Sequence, residues 1–319
     1  MPQLTLWDAQ VPTGSARQEL LRLLWRLLWL QLQLARMLGS RQPRVCVLHG
    51  FQAALLAWPL ALLRRDIRWI YVHRVTKAAG AHGIFRLVYL PFHIVAGNSH
   101  AVTASFSRLV PPGRLATLDN GLDWRRFEER VAKGADAPLP TAHGPVLITV
   151  GRMLPHKNQE LVIGAFLRLA AAHPEASLWL AGDGPEQPRL QAMAARTTFS
   201  ARIHFLGTRT DVPAVLSRAT IFTNASSWEG MSNAVLEGLA AGLPAVVVDA
   251  PGVTECHVDG VTGFVVAPDV AAVASALDQL LGDSALRARM GAAGRARVRE
   301  RYSIEANRER YLSLFKRLS

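Results

Sequence analysis

Short apolar runs alternate with segments of helical composition along most of this chain, and one stretch interrupts the alternation. Alternating strands and helices are typical of parallel sheets whose faces are covered by helices. Residues 131–144 (VAKGADAPLPTAHG) break the pattern with proline, glycine and small side chains, which is the composition of a linker. The sequence therefore predicts an α/β chain of two Rossmann-like halves, with a cleft near the carboxyl ends of the strands.

The apolar runs give the predicted strands. Before the linker they lie at 45–49, 68–73, 94–97 and 115–118, and after it at 145–150, 177–181, 203–206, 220–224, 243–248 and 263–266. Helices are predicted between them and at the C-terminus, for example at 53–63, 158–172, 185–195, 270–281, 284–299 and 304–318, and a turn and helix are predicted at 98–109. We divide the chain into a first domain at 1–135, a second at 145–300 and a final helical segment at 301–319.

The segment after the predicted strand at 220–224 is the most informative about which groups the chain could bind. It holds Glu229 in a Glu-Gly turn and Glu237 well inside the apolar helix that follows. Strand, glycine turn and helix together place backbone N–H groups at a helix N-terminus, where phosphate binds well. A carboxylate beside that position repels phosphate, so Glu229 is better suited to hydroxyl groups. A sugar attached to a diphosphate offers both kinds of group.

A second loop carries two cations. Arg152 and Lys157 both lie between a predicted strand and the next helix, so they can converge on one anion. A diphosphate carries enough charge for two cations, and arginine can bind it with two parallel hydrogen bonds. Taken alone, the pair is better explained as an ordinary solvated loop. Together with the Glu229 turn it favours an anion site, because both loops lie at the same end of one sheet.

Three more candidate residues lie at strand ends. Gly182 begins a Gly-Asp-Gly-Pro turn, and most such turns have no further role. His73 ends the strand at 68–73, where a side chain faces the predicted cleft. A lone histidine is more often structural, and His49 ends the neighbouring strand in the same way. The residues alone leave open which histidine belongs to a site.

Composition limits the function classes. The net charge is +12, and cations occur throughout the chain with runs at 64–65, 125–126 and 295–301. This balance favours anionic partners, although a GC-rich genome that uses arginine where others use lysine explains it equally well. No basic motif is interleaved with aromatic residues, so nucleic acid is not a predicted partner. No P-loop, nucleophile elbow or zinc motif occurs, and no metal is expected.

Cysteines and apolar segments bear on location. Cys46 and Cys256 form neither a metal spacing nor a disulfide framework, and no signal peptide is recognised, which predicts a cytoplasmic protein. Residues 19–38 and 45–63 are strongly apolar, but neither is a clean run of about 20 apolar residues, as a spanning helix requires. The first segment is interpreted as a core-facing helix or as a helix in a membrane interface, with its tryptophans at the headgroups.

These motifs together resemble glycosyltransferase family 4, retaining enzymes of the two-domain GT-B fold. So many motifs in order over about 120 positions are hard to obtain by chance. In the first half the similar segments are Val95-Ala96-Gly97-Asn98-Ser99 and Asn120-Gly121-Leu122-Asp123…Phe127. In the second half they are Gly151-Arg152…Lys157-Asn158, Gly182-Asp183-Gly184-Pro185, Phe205-Leu206-Gly207, Ser226…Glu229-Gly230-Met231-Ser232-Asn233…Glu237-Gly238, Ala241-Gly242-Leu243-Pro244-Ala245-Val246 and Asp259-Gly260-Val261-Thr262-Gly263.

The resemblance implies roles for the matching residues. Arg152 and Lys157 would hold the donor diphosphate and stabilise the departing nucleoside diphosphate. Glu229 would lie near the donor sugar, Glu237 would bind the ribose hydroxyls, and His73 matches the family's cleft histidine. The family usually needs no metal, because cationic side chains and a helix dipole do that work. The remaining donor-binding residues would be Gly151, Gly182, Gly230, Met231, Ser232 and Asn233.

The resemblance also implies a longer first domain and a final helix that crosses back to it. The family normally opens with a strand, a glycine-rich loop and roughly two further strand–helix units before the segment that matches residue 20 onward. This chain starts too late for them, so its first sheet is expected to have about four strands. Three explanations stay open: a missed upstream start, a truncated remnant, or a naturally reduced first domain.

The leading hypothesis is a bacterial, cytoplasmic, retaining hexosyltransferase. It would move a hexose or N-acetylhexosamine from a nucleotide diphosphate sugar, with UDP-sugar preferred, to a glycan or lipid-linked acceptor in surface polysaccharide or lipopolysaccharide assembly. The basic, tryptophan-bearing first half fits an acceptor at the inner leaflet of the membrane. The alternatives are an inactive glycosyltransferase-like subunit that binds nucleotide sugar or a partner, and, last, a GT-B sugar-nucleotide epimerase.

Overall fold

The structure is a computed structural model that describes residues 16–75 and 85–318. These residues form two parallel sheets with helices packed on their faces, as the alternation in the sequence predicts. The central strands are buried on both faces, which is why they are continuous apolar runs and do not alternate with polar residues.

The first sheet has four strands in the order β1-β2-β3-β4, and all three pairings are parallel. Its strands are β1 (Val45–His49), β2 (Arg68–His73), β3 (Ile94–Gly97) and β4 (Leu115–Thr117). Helices α1 (Ala16–Arg41), α2 (Phe51–Leu63), α3 (Phe85–Tyr89) and α4 (His100–Ser105) contribute to one core on one face. α4 lies within the segment 98–109 that was predicted as a turn and helix, and Ser99 caps its start at the Val102 N–H.

The second sheet has six strands in the order β10-β9-β8-β5-β6-β7. Its strands are β5 (Val146–Val150), β6 (Ser177–Ala181), β7 (Ile203–Gly207), β8 (Ile221–Asn224), β9 (Ala245–Val248) and β10 (Gly263–Val266). The helices from here to the C-terminus are α6 (Gln159–Leu169), α7 (Gln187–Ala195), α8 (Val212–Leu216), α9 (Asn233–Ala240), α10 (Val270–Gly282), α11 (Ser284–Arg301) and α12 (Ile304–Leu318). The order reverses at β5 and β8, so the loops after these two strands meet at the topological switch point.

Two helices connect the halves. α5 (Trp124–Lys133) begins at a cap formed by Asp123, extends into the predicted linker, and packs Phe127 into the core of the second half. α12 packs Leu314 against the face of the first sheet opposite α1 to α4. The predicted domain limits stay a prediction, but these contacts show that the chain crosses between the halves twice.

None of the helices in residues 16–75 and 85–318 is both long enough and apolar enough to cross a lipid bilayer.

Candidate active site

The first cationic loop joins β5 to α6. After Val150 the chain forms a short 3-10 turn at Pro155–Lys157, and Asn158 takes a left-handed conformation (φ 52°) before α6 starts. The Gln159 side chain donates a hydrogen bond of 3.0 Å to the Arg152 carbonyl and so fixes the loop. The Arg152 side chain is exposed, whereas the Lys157 side chain is only 20% exposed.

The second loop joins β8 to α9 and is held by its own polar residues. The Asn224 side chain accepts a hydrogen bond from the Ser226 N–H (2.9 Å) and donates one to the Ser232 hydroxyl (3.3 Å). Ser232 caps α9 at the Val235 N–H. The loop therefore presents Glu229 beside the start of a helix, as the sequence predicts.

The two loops meet in an ion pair between Lys157 and Glu229. The Ser226 hydroxyl donates a second hydrogen bond to the same Glu229 oxygen at 2.8 Å. The Glu229 side chain is 12% exposed, so its charge is balanced inside a mostly buried site. The structure thus brings together two residues that sequence reasoning assigned to one site from separate loops.

A ring stack next to the ion pair was not predicted. The His156 and Trp228 rings stack at a centroid distance of 4.2 Å, and the Ser227 N–H donates to the His156 carbonyl at 2.7 Å. His156 precedes Lys157 and Trp228 precedes Glu229, so the stack ties the two loops one residue before the pair. Nothing in the sequence spacing indicates that these two rings meet.

Glu237 lies on α9 and its environment is largely desolvated. Burial raises the pKa of Glu237, and the Arg130 cation on α5 opposes that rise. Arg130 was not among the predicted site residues, because it comes from the helix before the linker. A partly buried carboxylate near an arginine is suited to accept hydrogen bonds from hydroxyl groups.

Glycines allow the loops of the second half to pack backbone against backbone. Gly182 has φ 132°, and a Cβ there would lie 2.1 Å from the Gly151 carbonyl oxygen. At Gly184 a Cβ would lie 2.4 Å from the Met153 carbonyl oxygen. A side chain at either position would push the β6 loop away from the β5 loop that carries Arg152.

The first half contacts the Glu229 turn directly. Gly230 lies against the Arg74 carbonyl oxygen and the Asn98 side chain. The Asn120 side chain donates to Asn233 Oδ1 at 2.7 Å, and the Asn120 N–H lies 3.2 Å from the sulfur of Met231. The predicted donor-binding residues 230, 231 and 233 therefore line the boundary between the halves.

The two candidate histidines have different surroundings. His73 is buried, with its Nδ1 2.5 Å from the Tyr71 hydroxyl and its ring edge-on to Phe106 at 5.2 Å. Burial raises the pKa of Tyr71, which keeps its hydroxyl protonated. His49 is exposed, and partial desolvation and the nearby Arg74 lower its pKa. Both histidines end neighbouring strands, and their roles stay predictions.

Comparison with protein families gives a clear result. The family model for "Glycosyl transferases group 1" matches residues 137–297, half of the chain. The chain belongs to this glycosyl transferase family. The matched region contains Gly151, Arg152, Lys157, Gly182, the 229–233 turn and Glu237. The narrower assignment to family 4 is consistent with this match and stays a prediction.

Two relatives from Rhizobium meliloti (strain 1021) are described as lipopolysaccharide core biosynthesis glycosyltransferases. LpsE is 33% identical over 187 residues, which cover 58% of this chain and 54% of LpsE. LpsD is 30% identical over 283 residues, which cover 85% of this chain and 77% of LpsD. The match to LpsE therefore spans about half the length of that relative.

Solved structures of other glycosyl transferases share the fold. HepE from Anabaena, crystallised with UDP, superposes with a TM-score of 0.73 at 19% identity, covering 85% of this chain and 78% of HepE. Sucrose-phosphate synthase from Thermosynechococcus elongatus superposes with a TM-score of 0.77 at 20% identity, covering 96% of this chain and 80% of the synthase. The predicted GT-B fold is confirmed.

Proposed function

We propose that this chain is a retaining hexosyltransferase. It moves a hexose or N-acetylhexosamine from a nucleotide diphosphate sugar, preferably a UDP-sugar, to a glycan or lipid-linked acceptor. The acceptor belongs to surface polysaccharide or lipopolysaccharide assembly. The observation that carries the proposal is the Lys157–Glu229 pair, which two loops bring to the switch point of the second sheet, facing the first half.

The relatives support the class of reaction. LpsE and LpsD are named as transferases of the lipopolysaccharide core, and the Anabaena protein was crystallised with UDP and with UDP and glucose. Another relative, from Mycolicibacterium smegmatis, is named as GDP-mannose-dependent. The choice between UDP and GDP is therefore the part of the proposal that most needs an experiment.

The charges of the site suit a diphosphate donor. Lys157 neutralises Glu229 in the structure, and Arg152 is exposed on the same loop. We propose that the donor diphosphate engages both cations, and that they stabilise the charge that grows on the leaving nucleoside diphosphate. Gly230 to Asn233 offer backbone N–H groups at the start of α9 to the phosphate or the sugar. No metal is needed in this proposal.

We place the reaction in the cytoplasm, with the first half at the inner leaflet. The outer face of α1 supports this, because Trp25, Leu28, Trp29 and Leu32 are each 47–69% exposed and share one side of the helix. Tryptophan and leucine beside arginine are suited to the headgroup region of a bilayer.

The test is a thermal-shift panel with UDP, GDP, ADP and their common sugar conjugates, on wild type and Glu237→Ala. A ligand at about 100 times its dissociation constant stabilises by roughly 2.7 kcal/mol, which raises the melting temperature. We expect a shift with one base only, and a much smaller one in the variant. Turnover with the matching sugar conjugate should give a product with the donor's anomeric configuration, read by NMR. No shift with any nucleotide, from a protein that melts cooperatively, would favour the inactive-subunit alternative.

A further inference from the structure

An apolar groove lies between α1 and the start of α2, at the carboxyl edge of the first sheet. Its volume is about 730 Å³, and its walls include Leu30, Leu34 and Met37 of α1 and Phe51 and Leu56 of α2. Ligand sites in proteins usually have volumes of roughly 300–1,000 Å³. The groove is therefore large enough to hold part of an aliphatic chain, and its lining is suited to one.

His49, the last residue of β1, lines the groove at the carboxyl edge of the first sheet. In the sheet His49 lies opposite Val72, and Arg74 follows Val72 by two residues at the same edge. Partial burial and the Arg74 charge lower the pKa of His49, and the Arg74 carbonyl packs against Gly230 of the donor turn. The groove wall at His49, then Arg74, then the residue next to Glu229 therefore follow one another along this edge.

The groove is open to solvent along α1. Leu30, Leu34 and Met37 line it from one side of the helix, and Met37 is 50% exposed. Trp29 and Leu32, 47% and 49% exposed, lie on other sides of the same helix. A hydrocarbon chain can therefore enter the groove at Met37.

The charge of the chain is concentrated in the same half. Residues 1–118 contain fourteen Lys and Arg against three Asp and Glu, whereas residues 119–319 contain 22 against 21. Cations occur throughout the chain, but almost all of the +12 excess belongs to the first half. The two acidic residues between 16 and 118 are Glu19 and Asp66, and Asp66 is paired with Arg64. This half therefore attracts an anionic molecule.

We propose that the groove binds the hydrocarbon chain of a lipid-phosphate acceptor, with the phosphate at Arg74 and the acceptor hydroxyl directed toward Glu229. This rests on the proposed transferase function and narrows its acceptor to a lipid phosphate. The groove, Arg74 and the donor turn lie in the same order as the three parts of such a molecule: the hydrocarbon chain, the phosphate and the sugar-accepting end.

The test measures the binding of hexyl, octyl and decyl phosphate by calorimetry, below their micelle-forming concentrations, with inorganic phosphate and decyl glucoside as partial ligands. Burying a methylene is worth about 0.8 kcal/mol, which is roughly a fourfold gain in affinity. We expect each added methylene to tighten binding by up to that factor. Inorganic phosphate and decyl glucoside should both bind more weakly than decyl phosphate.

Three variants separate the groove from the surface around it. Met37→Gln places a polar group in the groove wall and should lower the affinity for decyl phosphate about tenfold. It should not affect folding, because Met37 is half exposed. Leu63→Gln is the matched control, since Leu63 is 77% exposed on α2 and does not line the groove, and it should bind as wild type. Arg74→Gln should lower the affinity for decyl phosphate about tenfold and leave the affinity for decyl glucoside unchanged.

Affinity that does not depend on chain length, or that Met37→Gln and Leu63→Gln reduce equally, would overturn the proposal. A dimer in sedimentation that Met37→Gln dissociates would also overturn it, because the groove would then be occupied by a second copy of the chain. The outcome is independent of the donor site, which the nucleotide panel tests. Lipid-phosphate binding without any nucleotide binding would refute the transferase function and leave the groove assignment standing. Nucleotide binding without lipid-phosphate binding would refute the groove assignment and leave the transferase function standing.

Discussion

Gly230→Ala tests whether the close approach of the two halves is the reactive arrangement. Gly230 does not have a positive φ, so alanine fits its backbone. The added Cβ would lie 2.0 Å from the Arg74 carbonyl oxygen and 2.9 Å from Asn98 Oδ1. Ordinary contact begins near 3.4 Å, so the first half must move away from the turn by about 1.4 Å.

A shift of that size breaks the contacts around Gly230. The Asn120–Asn233 hydrogen bond of 2.7 Å would lengthen beyond hydrogen-bonding distance. Its loss costs about 1 kcal/mol, so the halves separate without unfolding. The cost to catalysis is larger, because a misplacement of about 1 Å in a site can lower the rate about 100-fold.

The assay is steady-state turnover together with nucleotide affinity and melting temperature. We expect kcat to fall about 100-fold, while nucleotide affinity stays within a few fold, because the β5 and β8 loops are both in the second half. Gly113→Ala is the matched control, since a Cβ there meets nothing within 4 Å. Wild-type kcat in Gly230→Ala would refute the reasoning, because the reaction would then not need the halves to touch at this turn.

Four further predictions concern single side chains. Glu237→Ala should weaken nucleotide binding at least tenfold in calorimetry, because a ribose hydroxyl loses an anionic acceptor. Arg152→Ala should lower kcat about 100-fold with little change in KM if charge builds on the leaving diphosphate, and unchanged turnover would remove Arg152 from the site. His73→Ala should abolish most turnover while His49→Ala should not, and the opposite result would exchange their assignments. Burial lowers the pKa of His257 to about 4, so the unfolded chain takes up a proton at a higher pH than the folded chain does. The free energy of unfolding should therefore fall by up to about 3 kcal/mol from pH 6.5 to pH 4. The melting temperature of His257→Gln should drop less than that of wild type over the same range.

The fold was predictable because short buried strands and glycine turns leave a strong local pattern. The strands predicted at 45–49, 68–73 and 94–97 match β1, β2 and β3 residue for residue. Helix ends were less predictable, since a local cap decides them. α6 ends at Leu169, whereas the pattern indicates 172, and α5 continues to Lys133, inside the predicted linker.

The site was predictable only within the second half of the chain. Glu229 and Lys157 could be assigned to one site because parallel strands direct their following loops to one edge. The contacts between halves, such as Asn120 with Asn233, depend on how two separate sheets meet, and no spacing in the chain encodes that. The same holds for Arg130, which acts on Glu237 from the helix before the linker.

The contacts that join the halves at the site are few and polar, and this bears on how the donor enters. Besides the Asn120–Asn233 bond, the Glu255 carboxylate accepts hydrogen bonds from the His100 and Ala101 N–H groups at 3.1 and 2.8 Å. Each such bond is worth only about 1–3 kcal/mol, so the halves can part at small cost. Lys157 is already paired with Glu229, so a donor gains from that lysine only the surplus over the existing pair. We therefore expect donor affinity to come mainly from the second half and the contacts between the halves to matter for closure, so that these contacts govern kcat more than nucleotide affinity.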